Sequence, residues 1–319
     1  MRKTRAAATL MVLSPILAEL VSGSTPPHVF FAPATLALFL LLGYGLPVLL
    51  IREFVIRQGL DQRAIFLLGL GYGVFNEGLL AKTMIFQRNL PIHEFDNYGY
   101  LLGISIPWSV TISVWHALSA VLFPILFTYK LFPVESRTPW LGKKITIVLA
   151  VLTLGTAFVS FMGKSRVAGT LPEAGIFLGT ILACIAVASR LVPARGDQAI
   201  QGSKTWLPLL FGLSTLLAYA LLTRLAAAKP PLVVFFLGLI AVLFAYRVFF
   251  SKAGWHGNGP LIAFGIGCYM QSALLGMIAR LMQRVGLETL VFGLFTEVAL
   301  LSAAIRMQRA SSKVRVAIP

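Results

Sequence analysis

Charge is what this sequence has least of. Asp, Glu, Lys and Arg make up 12% of its 319 residues, about half the share of an ordinary soluble domain. Cysteine is nearly absent. Cys184 and Cys268 each stand in the middle of an apolar run, where a thiol reads as a small buried hydrophobe and not as a disulfide partner, metal ligand or nucleophile. The sequence contains no HExxH, no CxxC pair, no Walker A loop, no strand-linked GxGxxG and no DxD-type acidic cluster, so neither a metal nor any other cofactor is expected. It also lacks any polar stretch long enough to fold in water.

Apolar runs fill the space. Hydrophobic residues make up 58% of the chain and the mean hydropathy is +0.86. Segments of about twenty residues recur along its length, each able to cross a hydrocarbon core of roughly 30 Å. Ten such spans are predicted near 6–24, 29–51, 65–86, 104–127, 145–163, 174–192, 206–223, 231–250, 260–280 and 287–306. Between them lie the breakers Pro26-Pro27, Pro91, Pro133, Pro193, Pro230-Pro231 and Gly257-Asn258-Gly259-Pro260. The expected fold is all-α, a polytopic transmembrane helix bundle of about ten helices forming one membrane domain over 1–319. Residues 1–140 carry the polar intramembrane groups, and 141–319 are more apolar.

The net charge of +16 invites a nucleic-acid reading, but the basic residues stand singly in loops. Counted from a cytoplasmic N-terminus, inner segments hold 19 of the 27 Lys and Arg and outer loops hold 7, with Lys82 inside the third span completing the set. That asymmetry obeys the positive-inside rule. It predicts a multi-pass protein of the cytoplasmic (inner) membrane with both termini in the cytoplasm. The partners it implies are membrane lipid and a small-molecule or membrane-embedded substrate, with no nucleic acid. The basic start Met1-Arg2-Lys3-Thr4-Arg5 resembles a signal peptide, but Pro15 and Glu19 interrupt its apolar region, so a retained first span is expected.

An ionisable group at membrane depth costs about 2.5–3.5 kcal/mol on insertion scales and therefore tends to face protein. Glu19, Glu77, Lys82, His116 and Glu297 are such groups, while Arg52 and Glu53 fall at the inner edge of span two, where snorkelling would expose them. Gly69, Gly73 and Glu77 form one helical stripe that lets a neighbouring backbone approach and ends at a carboxylate. On span four, Ser105, Ser109, Ser113, His116 and Ser119 fall within an arc of about 120°, flanked by Trp108 and Trp115. Glu77 and His116 lie at similar depth on consecutive spans, which tend to be neighbours. They are expected to meet as an acid–base couple, with Asn76 beside them and Glu19 reaching the same cavity from the outer side. The kink expected at Pro15 is a second cue to a cavity. Gln271 and Glu297 read as structural polar contacts.

Residues Ser14-Pro15-Ile16-Leu17-Ala18-Glu19 with Ser22-Gly23-Ser24-Thr25-Pro26-Pro27, then Tyr72 through Gly78, then Trp115-His116 through Pro124, resemble a family of uncharacterised bacterial polytopic membrane proteins over roughly 14–140. A more partial likeness is to the CPBP intramembrane proteases, whose Glu-Glu-x-x-x-Arg helix is followed by histidines on later helices. Here Asn76 replaces the first Glu, Ala81 stands at the Arg position with Lys82 one place on, and the FxxxH motif is reduced to Ile112 and His116.

Three functions fit these features. The leading expectation is a proton-coupled transporter or permease with a midplane Glu/His site. Next comes an intramembrane enzyme, a CPBP-like protease or lipid-modifying hydrolase, with Glu77 and His116 as its acid–base groups. The third is a non-catalytic assembly or sensing protein.

Overall fold

The computed structural model describes residues 1–85, 90, 92–163, 169–191, 206–253, 255, 258–282 and 287–316. Pro91, Pro193, His256 and Gly257 lie outside the described residues. Each expected span falls on helix. Among the described residues eight helices are long and apolar enough to cross a membrane: Arg2–Val21, Ile106–Leu131, Lys143–Met162, Leu171–Ala188, Trp206–Ala228, Leu232–Lys252, Asn258–Ile278 and Leu290–Gln308. The second and third spans are the helical stretches 35–57 and 62–80.

Local chemistry accounts for several starts. Asp61 caps the third span by accepting from the Arg63 amide at 3.0 Å. Thr170 and Glu173 form a reciprocal capping box on the sixth, with a proline in its first turn. Along Lys143–Met162 the side chains of Ile147, Val151, Phe158 and Val159 are 64–70% exposed. Such an apolar face suits hydrocarbon, not water.

The first four spans share a feature that periodicity does not reveal. Each contains a π-helical stretch, at Ile16–Val21, Thr35–Gly45, Phe75–Leu80 and Ala117–Leu122. The wide turns close on carbonyls five residues back, as in Ala81 N–H to Asn76 at 2.7 Å and Phe123 N–H to Leu118. Turns of this kind recur at functional sites. Proline adds to the irregularity. Pro47 and Pro124 bring no amide hydrogen to the carbonyls four residues earlier, and other spans supply donors: Tyr72 Oη to Gly43 at 2.9 Å, and Ser14 Oγ to Ala120 at 2.7 Å.

The described helices fall into two compact units. One comprises Met1–Ile16, Ala32–Ala194 and Thr223–Phe236. In it the third and fourth spans touch through the expected glycine stripe. A methyl on Gly69 would stand 2.8 Å from Ala117 Cα, and one on Gly73 would stand 2.5 Å from Ser113 Cα. The connection between these spans holds a small antiparallel hairpin, Tyr100–Leu101 with Ile104–Ser105. It turns on Leu102 and Gly103, both at positive φ, the backbone twist that a two-residue hairpin turn demands.

The same unit corrects one expectation. Arg52 and Glu53 do not snorkel: both are fully buried. Arg52 donates to Glu53 at 2.6 Å and to the carbonyls of Glu135, Ser136 and Thr138, with its guanidinium 3.6 Å from the Trp140 ring centre. Glu53 in turn accepts the backbone N–H groups of Trp140 and Leu141. The pair fastens the loop after span four, whose backbone would otherwise be left unsatisfied.

The second unit comprises Leu17–Phe31, Arg195–Leu222 and Leu237–Pro319. Gly212 and Gly267 bring two of its helices within backbone contact. Phe211, Tyr246, Phe249, Phe250, Trp255 and Phe264 pack as one aromatic cluster. Cys268 is buried in this unit, whereas Cys184 is half-buried against Gly71 in the first.

Candidate intramembrane acid–base site

The glycine stripe decides what the third span presents to the fourth. Because Gly69 and Gly73 admit the Ser113–Ala117 backbone, the side chain that follows on that face, Glu77, is carried into the helix interface and not into lipid. There Glu77 Oε1 lies 2.8 Å from His116 Nε2, with both residues buried. The other carboxylate oxygen accepts from Thr83 Oγ1, and Thr83 Oγ1 itself accepts from Trp108 Nε1 at 2.9 Å. The hydrogens of that chain point one way, from indole to hydroxyl to carboxylate. A carboxylate held from behind in this manner has little freedom to turn away from the imidazole.

Aromatic rings set the imidazole plane. Tyr44 and Tyr72 each place a ring centre 5.8 Å from that of His116, the Tyr72 ring edge-on. Asn76 Nδ2 donates to Tyr72 Oη at 3.0 Å. Asn76 therefore reaches the couple through Tyr72, four residues before it on the same helix. Glu19 belongs to the second unit, where it accepts from Thr25 Oγ1 at 2.6 Å. Gln271 Oε1 accepts from Thr215 at 3.3 Å. Glu297 Oε1 is buried and has no hydrogen-bond partner among the described residues.

The serine stripe divides on inspection. Ser109, Thr111, Ser119 and Thr128 each return the hydroxyl to the carbonyl four residues earlier on their own helix, at 2.6–2.8 Å. Ser105 donates to the Tyr98 carbonyl. Ser113 makes neither kind of bond. Its Oγ and His116 Nδ1 are both buried without a hydrogen-bond partner among the described residues.

Thr83, Tyr44 and Tyr72 carry no sequence signal that singles them out, apart from the four-residue step from Tyr72 to Asn76. Lys82 is buried in the left-handed region (φ 59°) at the end of the third span, and its ammonium donates to the Gly163 carbonyl at 2.6 Å. Among the described residues no three of His, Cys, Asp and Glu converge in a group fit to hold a metal ion.

A family model matches residues 8–310, which takes in every residue of this site. The chain belongs to an uncharacterized membrane protein family. The match extends the likeness from the expected 14–140 to nearly the whole chain, so the apolar second half is as much a part of this membrane family as the polar first. No curated protein and no solved structure matches the chain.

Proposed function

We propose that this family member is an intramembrane hydrolase in which His116 is the general base and Glu77 its orienting carboxylate. The observation that carries the reading is the 2.8 Å contact between Glu77 Oε1 and His116 Nε2, backed by Thr83 and Trp108. A base fixed by a carboxylate that is itself fixed by a third group is the recurring geometry of proton abstraction in acyl transfer. With the Nε2 hydrogen given to Glu77, Nδ1 presents a lone pair to the attacking group. In a low-dielectric setting the carboxylate also stabilises the imidazolium that forms once the proton is taken. The substrate is an ester or amide that reaches the site from the lipid phase. The partial resemblance to the CPBP-type motif drawn from the sequence also falls on Glu77 and His116, while Asn76 in place of the first glutamate of that motif marks a different chemistry beside them.

Proton-coupled transport is the second reading. What favours it is the same buried couple considered as a proton carrier, since intramembrane Glu and His residues serve proton relays.

One preparation separates the two. Proteoliposomes of native membrane lipid and membrane peptides are incubated in ¹⁸O-water with a pH dye in the lumen. Hydrolysis gives products bearing one ¹⁸O at a new carboxyl group, lost in Glu77→Gln and His116→Ala. Solute-driven lumenal pH change with no ¹⁸O product would overturn hydrolysis in favour of transport.

A further inference from the structure

The site contains one hydroxyl and one ring nitrogen that the fold leaves uncommitted. A buried polar atom without a partner costs about 1–3 kcal/mol, and such atoms are uncommon enough in native structures that each asks for a reason. Among the described residues neither Ser113 Oγ nor His116 Nδ1 finds a partner. They stand three residues apart on one helix, so their side chains are neighbours on the same face. Helical side chains also lean toward the preceding turn, the side of His116 on which Ser113 lies; the two atoms are not hydrogen-bonded to each other in this structure, and a turn of the serine rotamer would aim its hydroxyl at Nδ1.

Ser113 is the exception among the serines and threonines of its helix. The hydroxyls at 109, 111, 119 and 128 are all spent on the helix's own carbonyls. The Ser113 side chain instead faces the third span, its Cβ 3.0 Å from where a Gly73 methyl would stand. Its hydroxyl hydrogen is free to be given away, beside a histidine whose other nitrogen is already held by a carboxylate.

We infer that Ser113 is the nucleophile of this site, completing a Ser113–His116–Glu77 triad that acts on an acyl ester or amide. This assignment rests on the hydrolase reading and deepens it. Ser113 Oγ attacks the carbonyl carbon while its proton passes to His116 Nδ1 and the carbonyl electrons move to oxygen. The tetrahedral adduct collapses, the bond to the leaving alcohol or amine breaks, and His116 returns the proton to that group. The acyl–Ser113 ester is then cleaved by water, which yields a proton to Nδ1 and its oxygen to the new carboxyl. Ser113 leaves as the alcohol, reprotonated by His116, so no oxidant, reductant or other reagent is consumed.

The test uses the full-length chain in detergent and an alkyl fluorophosphonate, which transfers its phosphonyl group to an activated serine with loss of fluoride. Mass spectrometry of digested wild-type protein is expected to find the adduct on Ser113. Ser113→Ala, which removes an unpaired hydroxyl and is expected to be recovered as wild type, loses the label. His116→Ala and Glu77→Gln label more slowly by a hundredfold or more, on the order expected for loss of a triad partner. An unlabelled Ser113, or a label on another serine in its place, overturns the assignment. Retention of ¹⁸O products by Ser113→Ala proteoliposomes also overturns it while leaving the hydrolase reading intact, because His116 would then be activating water directly. Loss of those products from wild type overturns the hydrolase reading itself.

Discussion

The Ser14 hydroxyl donates to the Ala120 carbonyl at 2.7 Å across two spans, and both partners are fully buried. It serves the carbonyl for which Pro124 supplies no amide hydrogen. Ser14→Ala is expected to lower unfolding stability by about 1–2 kcal/mol, read as an earlier transition in denaturing detergent. An unchanged transition would mean that the carbonyl is satisfied without Ser14.

Glycine substitutions should divide by neighbour. Gly73→Ala drives a methyl to 2.5 Å from Ser113 Cα and Gly69→Ala to 2.8 Å from Ala117 Cα, so each is expected to cost about 1–3 kcal/mol through overpacking. Gly155→Ala meets nothing within 4 Å among the described residues and should stabilise its helix by about 0.5–1 kcal/mol. Equal melting temperatures for Gly73→Ala and Gly155→Ala would contradict the close helix contact.

Breaking the Arg52–Glu53 pair from one side leaves a buried charge alone. Glu53→Ala is expected to cost about 3–5 kcal/mol and to be recovered in poor yield. Arg57→Ala removes a partner that is 26% exposed and should cost about 1 kcal/mol or less. Thermal scans of the two variants that coincide would count against this ranking.

Lys3 Nζ donates to the Pro139 carbonyl at 3.0 Å, and Arg57 to that of Leu141. The N-terminus, the end of span two and the loop after span four thus meet at one end of the first unit. With the basic-residue asymmetry, reporter fusions at both termini and at Lys143-Lys144 are expected in the cytoplasm, and one near Asp96 outside. A C-terminus on the side opposite the N-terminus would overturn the ten-span topology.

Burial, with the Asp96 carboxylate second, pushes the Tyr100 phenol up to about 12. Its folded value lies above the ordinary one, so the stability it contributes is present below about pH 10 and is lost as pH rises toward 12. Ultraviolet titration of wild type against Tyr100→Phe should show a difference appearing near pH 12, and Asp96→Asn should bring that step lower. A difference centred at about pH 10 would mean that the Tyr100 phenol is solvated.

The helices and the meeting of Glu77 with His116 were legible because each rests on a single periodic cue: an apolar run, a four-residue glycine spacing, a polar arc. The Arg52–Glu53 anchor was not legible. Charges at a span end read as solvated until a distant loop folds over them, and the loop residues concerned give only backbone groups. Thr83 was hidden for a similar reason, since it follows the third span in an irregular connection. The serine arc was legible as a stripe, but the sequence could not show that four Ser and Thr hydroxyls on this helix turn back on its own backbone while Ser113 does not. The Tyr100–Ser105 hairpin depends on positive φ at Leu102, where nothing in the side chain predicts it.

The π-helical stretches alter how faces must be counted. Each wide turn holds a residue more than an α turn, so beyond it the side chains are advanced in phase by about 100°. A heptad or stripe counted straight through 75–80 or 117–122 names the wrong face on the far side. Deleting one residue within 75–80 would let the helix relax to ordinary α geometry with little change in length, yet it would swing one flank by more than a quarter turn about its own axis. Either the glycines would keep their contact and the downstream residues would lose theirs, or the reverse. The surplus residue is therefore a phase adjuster, and single-residue gaps at these two places are where relatives of this chain would be expected to trade one arrangement of the interface for another.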